Sequence, residues 1–177
     1  MFFHAAEGAG AAVCRALALG CRTIFLTGGI SRGIFYEHFP GGVYFIGIGG
    51  VSMSALARLL SAHGVRVRGS DAAEGPFLSM LRKAGIPVSL GCEEIISEDT
   101  VVFTGAVDGN YPQLAAARRA GKRLLPRAEL LGMIAERFKR TVSFAGCHGK
   151  TTATAMLSHI LSGRLLFTCH IGGEDLT

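Results

Sequence analysis

The chain has no CxxC pair, no long hydrophobic run, no low-complexity segment and no tandem repeat, and each absence removes a class of function. Its five cysteines, Cys14, Cys21, Cys92, Cys147 and Cys169, form no regular framework. An odd count without spacing fits reduced thiols in a cytosolic protein, not a disulfide scaffold. His148 and His170 stand beside cysteines, yet neither has the pairing of a zinc site, so structural metal is not expected. Acidic residues are the scarcer charge, 13 against 18 basic ones. The cations gather at Arg118, Arg119, Lys122, Arg123 and Arg127 with no aromatic residues between them. That pattern argues against a nucleic-acid surface and for a solvated helix face. The apolar run Ala11 to Leu19 is interrupted by Arg15, is too short to span a membrane, and lacks the basic start and cleavage site of a secretory signal.

What is present is glycine and short apolar runs. With 177 residues, 49% of them hydrophobic, the chain can bury one sizeable core, or one core and a piece of another. Its 25 glycines sit mostly after apolar runs, as tight connections between strands and helices require, which favours an α/β class. Val43-Tyr44-Phe45-Ile46 suits a buried parallel strand, and Gly47-Ile48-Gly49-Gly50 turns it into the next segment. Met53, Leu56, Ala57 and Leu60 mark one helix face that Gly64 stops, and Val65 to Arg68 alternates as a second strand. The expected unit is βαβ.

The pattern then repeats. Phe77 to Ala84 reads as a helix, with strands at Val88 and at Val101 to Phe103. Pro112 opens a helix running to Ala120, Leu124-Leu125 reads as a strand, and Ala128 to Phe138 as a helix. Val142 to Ala145 forms a strand leading to a helix over Thr151 to Leu161. In the opening segment, Ala11 to Leu19 suits a short helix closed by Gly20, and Thr23 to Leu26 a short strand. The expected divisions are 1–40 as an unassigned extension, 41–126 as a first domain, 127–140 as a connecting helix and 141–177 as the start of a second domain.

Two loops carry chemistry. At Gly47 the strand, glycine turn and helix occur in the order that brings backbone N–H groups and a helix start to a pyrophosphate. Asp71 follows where an acidic residue often meets a ribose hydroxyl. Against G-x-G-x-x-G, Ser52 stands in place of the third glycine, so a dinucleotide site is weakened while a glycine turn serving packing alone stays open. The second loop, Gly146-Cys147-His148-Gly149-Lys150-Thr151-Thr152, is a shortened phosphate-binding motif. Its backbone nest can wrap phosphate oxygens, Lys150 can reach β- and γ-phosphates, and the Thr151 hydroxyl can ligate magnesium. Cys147 and His148 invite a nucleophile-and-base reading, but no third group orients them, so their backbones carry the function.

The ordered set Phe45 to Ser54, Gly69-Ser70-Asp71, Thr104 to Val107, Asn110-Tyr111-Pro112, Arg127 to Leu130 and Ala145 to Thr152 resembles the Mur ligases. The resemblance runs from about Val43 to Thr177 and is strongest to the members that join L-alanine to UDP-N-acetylmuramate. It implies a Rossmann-like parallel-sheet domain that binds the UDP-sugar, followed by the start of a P-loop ATP-binding α/β domain. It implies an amide-bond-forming ligase of cytoplasmic peptidoglycan synthesis that uses ATP and Mg2+ and needs neither nucleic acid nor membrane. ATP would phosphorylate the muramyl carboxylate to an acyl phosphate, which the amine of L-alanine attacks.

By position, Gly47, Gly49, Gly50, Ser52 and Met53 would lie along the UDP pyrophosphate, Ser70 and Asp71 near the nucleoside, and Arg127 on the sugar nucleotide. Gly146 to Thr152 would hold ATP, with Lys150 catalytic and Thr151 on the metal. Cys147 departs from a usual threonine and Cys92 from a common histidine. Beside the family's layout the chain reads as an incomplete fragment with little or no ligase activity, and an unpaired strand edge is expected to leave Thr141 to Thr177 poorly stable alone. Two other functions stay open: an NAD(P)-dependent oxidoreductase, which leaves the second loop unexplained, and a non-catalytic UDP-sugar-binding module.

Overall fold

Short β-branched and aromatic runs, each closed by a glycine or polar turn, set the strands of this protein, and the helices between them carry apolar stripes that cover the sheet. The computed structural model describes residues 2–6, 22–26, 35–92, 97–107, 111–138, 140–145, 147–162 and 167–170. The expected helix at Ala11 to Leu19 and the residues Asn110 and Gly146 lie outside this set. The described chain forms two compact units, one of Arg32–Arg127 and one of Met1–Ser31 with Ala128–Thr177.

In chain order, strands β1 (Phe2–Ala6) and β2 (Arg22–Leu26) precede a 3-10 turn (Tyr36–His38). Then follow β3 (Val43–Ile46), α1 (Val51–Ala62), β4 (Val67–Asp71), α2 (Pro76–Lys83), β5 (Val88–Leu90) and β6 (Thr100–Phe103). The remainder is α3 (Pro112–Arg119), β7 (Arg123–Pro126), α4 (Arg127–Ala135), β8 (Arg140–Ala145), α5 (Lys150–Leu161) and β9 (Phe167–His170).

The Arg32–Arg127 unit is built on a five-stranded, all-parallel sheet in the order β5-β4-β3-β6-β7. All four residues of β3 are buried, because its two faces are both covered, as a central parallel strand requires. Tyr44 and Ile46 pack with Val101, Leu114 and Ala117 on the α3 side. Met53, Leu56, Ala57 and Leu60 of α1 are buried as their spacing dictates. The chain leaves β3 toward β4 on one side and later returns to place β6 on the other. This reversal opens a crevice at the carboxyl ends of the strands, where open α/β sheets take their ligands.

The second strand runs two residues later than Val65 to Arg68. β4 pairs Val67 with Val43 and Ser70 with Ile46, so Gly69 and Ser70 are buried strand residues and half-buried Asp71 ends the strand. Gly69 fits there because a Cβ at this position would stand 2.5 Å from the Phe45 carbonyl oxygen.

The second unit holds a four-stranded sheet in the order β1-β8-β2-β9. β8 is antiparallel to β1, with Phe2 opposite Ala145, and antiparallel to β2, with Arg22 opposite Phe144. Two strands near the amino terminus therefore flank β8 on both sides, while β9, in the same Thr141 to Thr177 region, pairs among the described strands with β2 alone and forms an edge of the sheet. Ala153, Leu157 and Leu161 of α5 pack on Val142 and Phe144.

Candidate functional site

The turn after β3 depends on Gly47, whose φ of +79° is left-handed. Its amide and that of Ile48 both donate to the Ser70 carbonyl, at 2.8 and 3.0 Å. The Gly49 amide donates to Asp71 Oδ2 at 2.7 Å, and a Cβ on Gly49 would stand 2.8 Å from that oxygen. The Gly50 amide donates back to the Gly47 carbonyl at 3.3 Å. Each of these amides thus has an acceptor inside the protein, so the glycines shape the loop. The backbone donors left over belong to the first turn of α1, whose amides have no acceptor within the helix. Gly50 caps that helix without a side-chain hydrogen bond, which leaves its positive end for an anion.

Arg127 brings a cation to the same place. Its Nη1 donates to Ser52 Oγ at 3.1 Å, joining residues 75 apart in sequence at the first turn of α1. The fold thereby gathers Gly47, Gly49, Gly50, Ser52, Asp71 and Arg127 in one region, and Met53, in the same turn, is buried beneath it. Ser70, expected near a nucleoside, sits under the turn. It is only 1% exposed and its hydroxyl donates to Gln113 Oε1 at 3.1 Å, so it serves the loop from below. The second oxygen of Asp71 accepts the Ala73 amide at 3.4 Å.

Gln113 escaped the sequence reading, while Thr104 and Tyr111 stood in it only as members of the resembling motifs, with no role assigned. Thr104 follows β6, and its methyl would lie 3.3 Å from a Cβ on Gly47; its hydroxyl accepts the Ala106 amide at 2.9 Å. Gln113 is a polar residue on the buried face of α3, beside Leu114 and Ala117, and that misfit with an apolar stripe was the available signal. Tyr111 caps α3, and its hydroxyl accepts from the Cys92 thiol at 3.4 Å, joining the segment after β5 to the start of α3.

In the other unit, β8 leads through exposed Cys147, His148 and Gly149 to Lys150, the first residue of α5. Gly149 takes a left-handed φ of +75°, and the Ala153 amide donates to its carbonyl at 2.9 Å. Lys150 Nζ folds back to donate to the Cys147 carbonyl at 3.2 Å, so the ammonium lies over the loop. Thr151 and Thr152 are exposed in the first helical turn. A left-handed glycine, a helix start and a lysine over the loop together fit a phosphate group. Thr151 could give magnesium one oxygen, the remainder of its shell coming from phosphates and water. Among the described residues no cluster of three His, Cys, Asp or Glu side chains could hold a metal ion. Cys92 and Cys147 are free thiols, and no described helix is long and apolar enough to cross a membrane.

Comparison with known proteins agrees with this geometry. The sequence model of the Mur ligase family, catalytic domain, matches residues 42–139, more than half of the chain. The UDP-N-acetylmuramate--L-alanine ligase of Caldicellulosiruptor bescii is 44% identical over 120 residues, covering 67% of this chain and 26% of the relative. The ligase of the same name from Acetivibrio thermocellus is 47% identical over 135 residues, covering 75% of this chain and 29% of the relative. The crystal structure of UDP-N-acetylmuramate-alanine ligase from Thermotoga maritima superposes with a TM-score of 0.61 at 32% identity, covering 68% of this chain and 29% of that one. The chain thus spans little more than a quarter of the length of the relatives it matches. From the parallel sheet, the glycine turn and this extended match, the chain belongs to the Mur ligase family.

Proposed function

We propose that the Arg32–Arg127 unit holds the UDP end of a UDP-linked sugar and that the chain forms part of an ATP-dependent ligase of peptidoglycan synthesis joining L-alanine to UDP-N-acetylmuramate. The observation that carries this reading is the Arg127 guanidinium seated on Ser52 at the first turn of α1. An arginine and a helix start converging at the mouth of a parallel-sheet crevice suit a diphosphate. The dinucleotide alternative has less support. Asp71, the residue it needs at a ribose hydroxyl, already accepts from Gly49 and Ala73.

In the proposed reaction a muramyl carboxylate takes a phosphoryl group from ATP, and the amine of L-alanine displaces phosphate to form the amide. Lys150 would meet charge on the transferred phosphoryl group, and the α5 amino terminus would orient the triphosphate. Magnesium, when bound, would screen the phosphate oxygens. Cys147 and His148 would contribute backbone.

Calorimetry with UDP-N-acetylmuramate and the full chain tests the first half. Saturable binding that weakens about tenfold in Arg127→Met, as loss of a charge-assisted contact predicts, is the expected result. No heat of binding to a folded sample would overturn it.

A further inference from the structure

We infer that Gln113 is a positioning residue for the ligand-binding turn, acting through Ser70. Gln113 is 2% exposed and belongs to α3, on the far side of β3 from β4. Its Oε1 accepts from Ser70 Oγ at 3.1 Å, and its Nε2 donates to the Tyr44 hydroxyl at 3.3 Å. One side-chain amide therefore ties together α3, β4 and β3 in a buried polar chain, across a separation of 43 residues from Ser70.

The reach of this chain extends to the turn itself. The Ser70 carbonyl accepts the Gly47 and Ile48 amides, and the adjacent Asp71 accepts the Gly49 amide. Ser70-Asp71 is thus the base on which the whole glycine turn rests. Ser70 is the penultimate residue of β4, whose only further described neighbour is the three-residue β5, and its side chain is held from the other half of the sheet by Gln113. A ligand site requires its supporting groups to be fixed before the ligand arrives, because loosening them returns entropy that binding must then remove. Buried polar chains of this kind confer rigidity only while every member is satisfied.

The inference rests on the UDP reading of the crevice, and two independent readouts separate them. Gln113→Leu leaves the Ser70 and Tyr44 hydroxyls without this partner while keeping an apolar fit beside Leu114. UDP affinity by calorimetry is expected to fall about five- to tenfold. Amide hydrogen exchange at Gly47 and Ile48 is expected to quicken about tenfold relative to Val102 in β6. A Leu81→Ala chain, altered in the fully buried core under α2, is the control: it should lose stability yet keep UDP affinity within about twofold. Ser70→Ala removes the same hydrogen bond from the other end and replaces Gln113→Leu if that chain does not fold.

Wild-type UDP affinity in Gln113→Leu overturns the inference whatever the exchange shows. Should the unaltered chain bind no UDP, the functional reading falls, and exchange at Gly47 and Ile48 still decides whether Gln113 holds the turn.

Discussion

Replacing Gly69 by alanine probes how tightly the glycine turn is joined to the sheet. A Cβ at Gly69 would stand 2.5 Å from the Phe45 carbonyl oxygen, 2.7 Å from Ile48 Cδ1 and 2.9 Å from Ile48 Cβ. The nearest of these atoms is backbone of the central strand and cannot rotate away; the others belong to the turn. Overpacking of this kind costs roughly 1–3 kcal/mol, and a backbone obstacle puts it at the upper end, about 3. Alanine also restricts the unfolded chain, which returns about 0.4–1 kcal/mol. The net loss is roughly 2–2.6 kcal/mol, or about 8–20 °C in Tm for a domain of this size. Urea unfolding followed by tyrosine fluorescence reads this unit alone, because Tyr36, Tyr44 and Tyr111 all lie within it and the chain has no tryptophan. Gly105→Ala is the control: none of the described residues lies within 4 Å of its added Cβ, so its midpoint should stay near wild type. Since Ile48 must shift in Gly69→Ala, UDP binding should weaken as well. A wild-type midpoint for Gly69→Ala would refute the close packing of β3 against β4.

Further outcomes follow from the same contacts. Glu98 has a side chain 1% exposed, neither of its carboxylate oxygens has a hydrogen-bond partner among the described residues, and Arg68 Nε lies 3.7 Å away. Arg68→Met should cost about 1–3 kcal/mol, below the range for a fully buried pair because Arg68 is a third exposed, and a second change, Glu98→Gln, should recover part of it in urea titrations. Burial holds His63 below the ordinary imidazole value. The unfolded chain therefore takes up a proton that the folded chain refuses, and stability should decline as pH falls through about 6.5 toward the folded value. His63→Gln should flatten that decline in urea midpoints measured from pH 8 to pH 5. Lys150→Ala should weaken ATP binding about tenfold or more in a nucleotide titration while leaving UDP affinity unchanged; equal ATP affinity would remove Lys150 from the phosphate site.

The resemblance to a ligase family was legible because its motifs are local. A strand, a glycine turn and a helix follow one another within residues 43–62, and the phosphate loop is continuous with α5. Helix limits were legible for the same reason, since Pro112 opens α3 and Gly121, with a φ of +68°, follows its end. Less could be read where one residue type serves two purposes. Val65 to Arg68 alternates like a strand, yet the pairing with β3 runs from Val67 through Ser70, and Ser70 looks like a ligand residue, yet its hydroxyl faces Gln113. The pairing of β1 and β2 with β8 was also illegible, because no local preference states which distant strand a segment joins.

The sequence by itself determined the succession of elements from β3 to α5, the glycine turn, the phosphate motif and the family, since periodicity and turn chemistry are written into neighbouring residues. Only the tertiary structure decided the strand order β5-β4-β3-β6-β7, the placing of Arg127 on Ser52 and the buried link from Ser70 through Gln113 to Tyr44. Those contacts join residues 43 to 75 positions apart, and they exist because the crossover from β5 to β6 carries the second half of the sheet to the other side of β3. Chain reversal at that point brings α3 and Arg127 to a turn laid down by residues 47–50, and a reversal is a property of the packed sheet that no short segment contains.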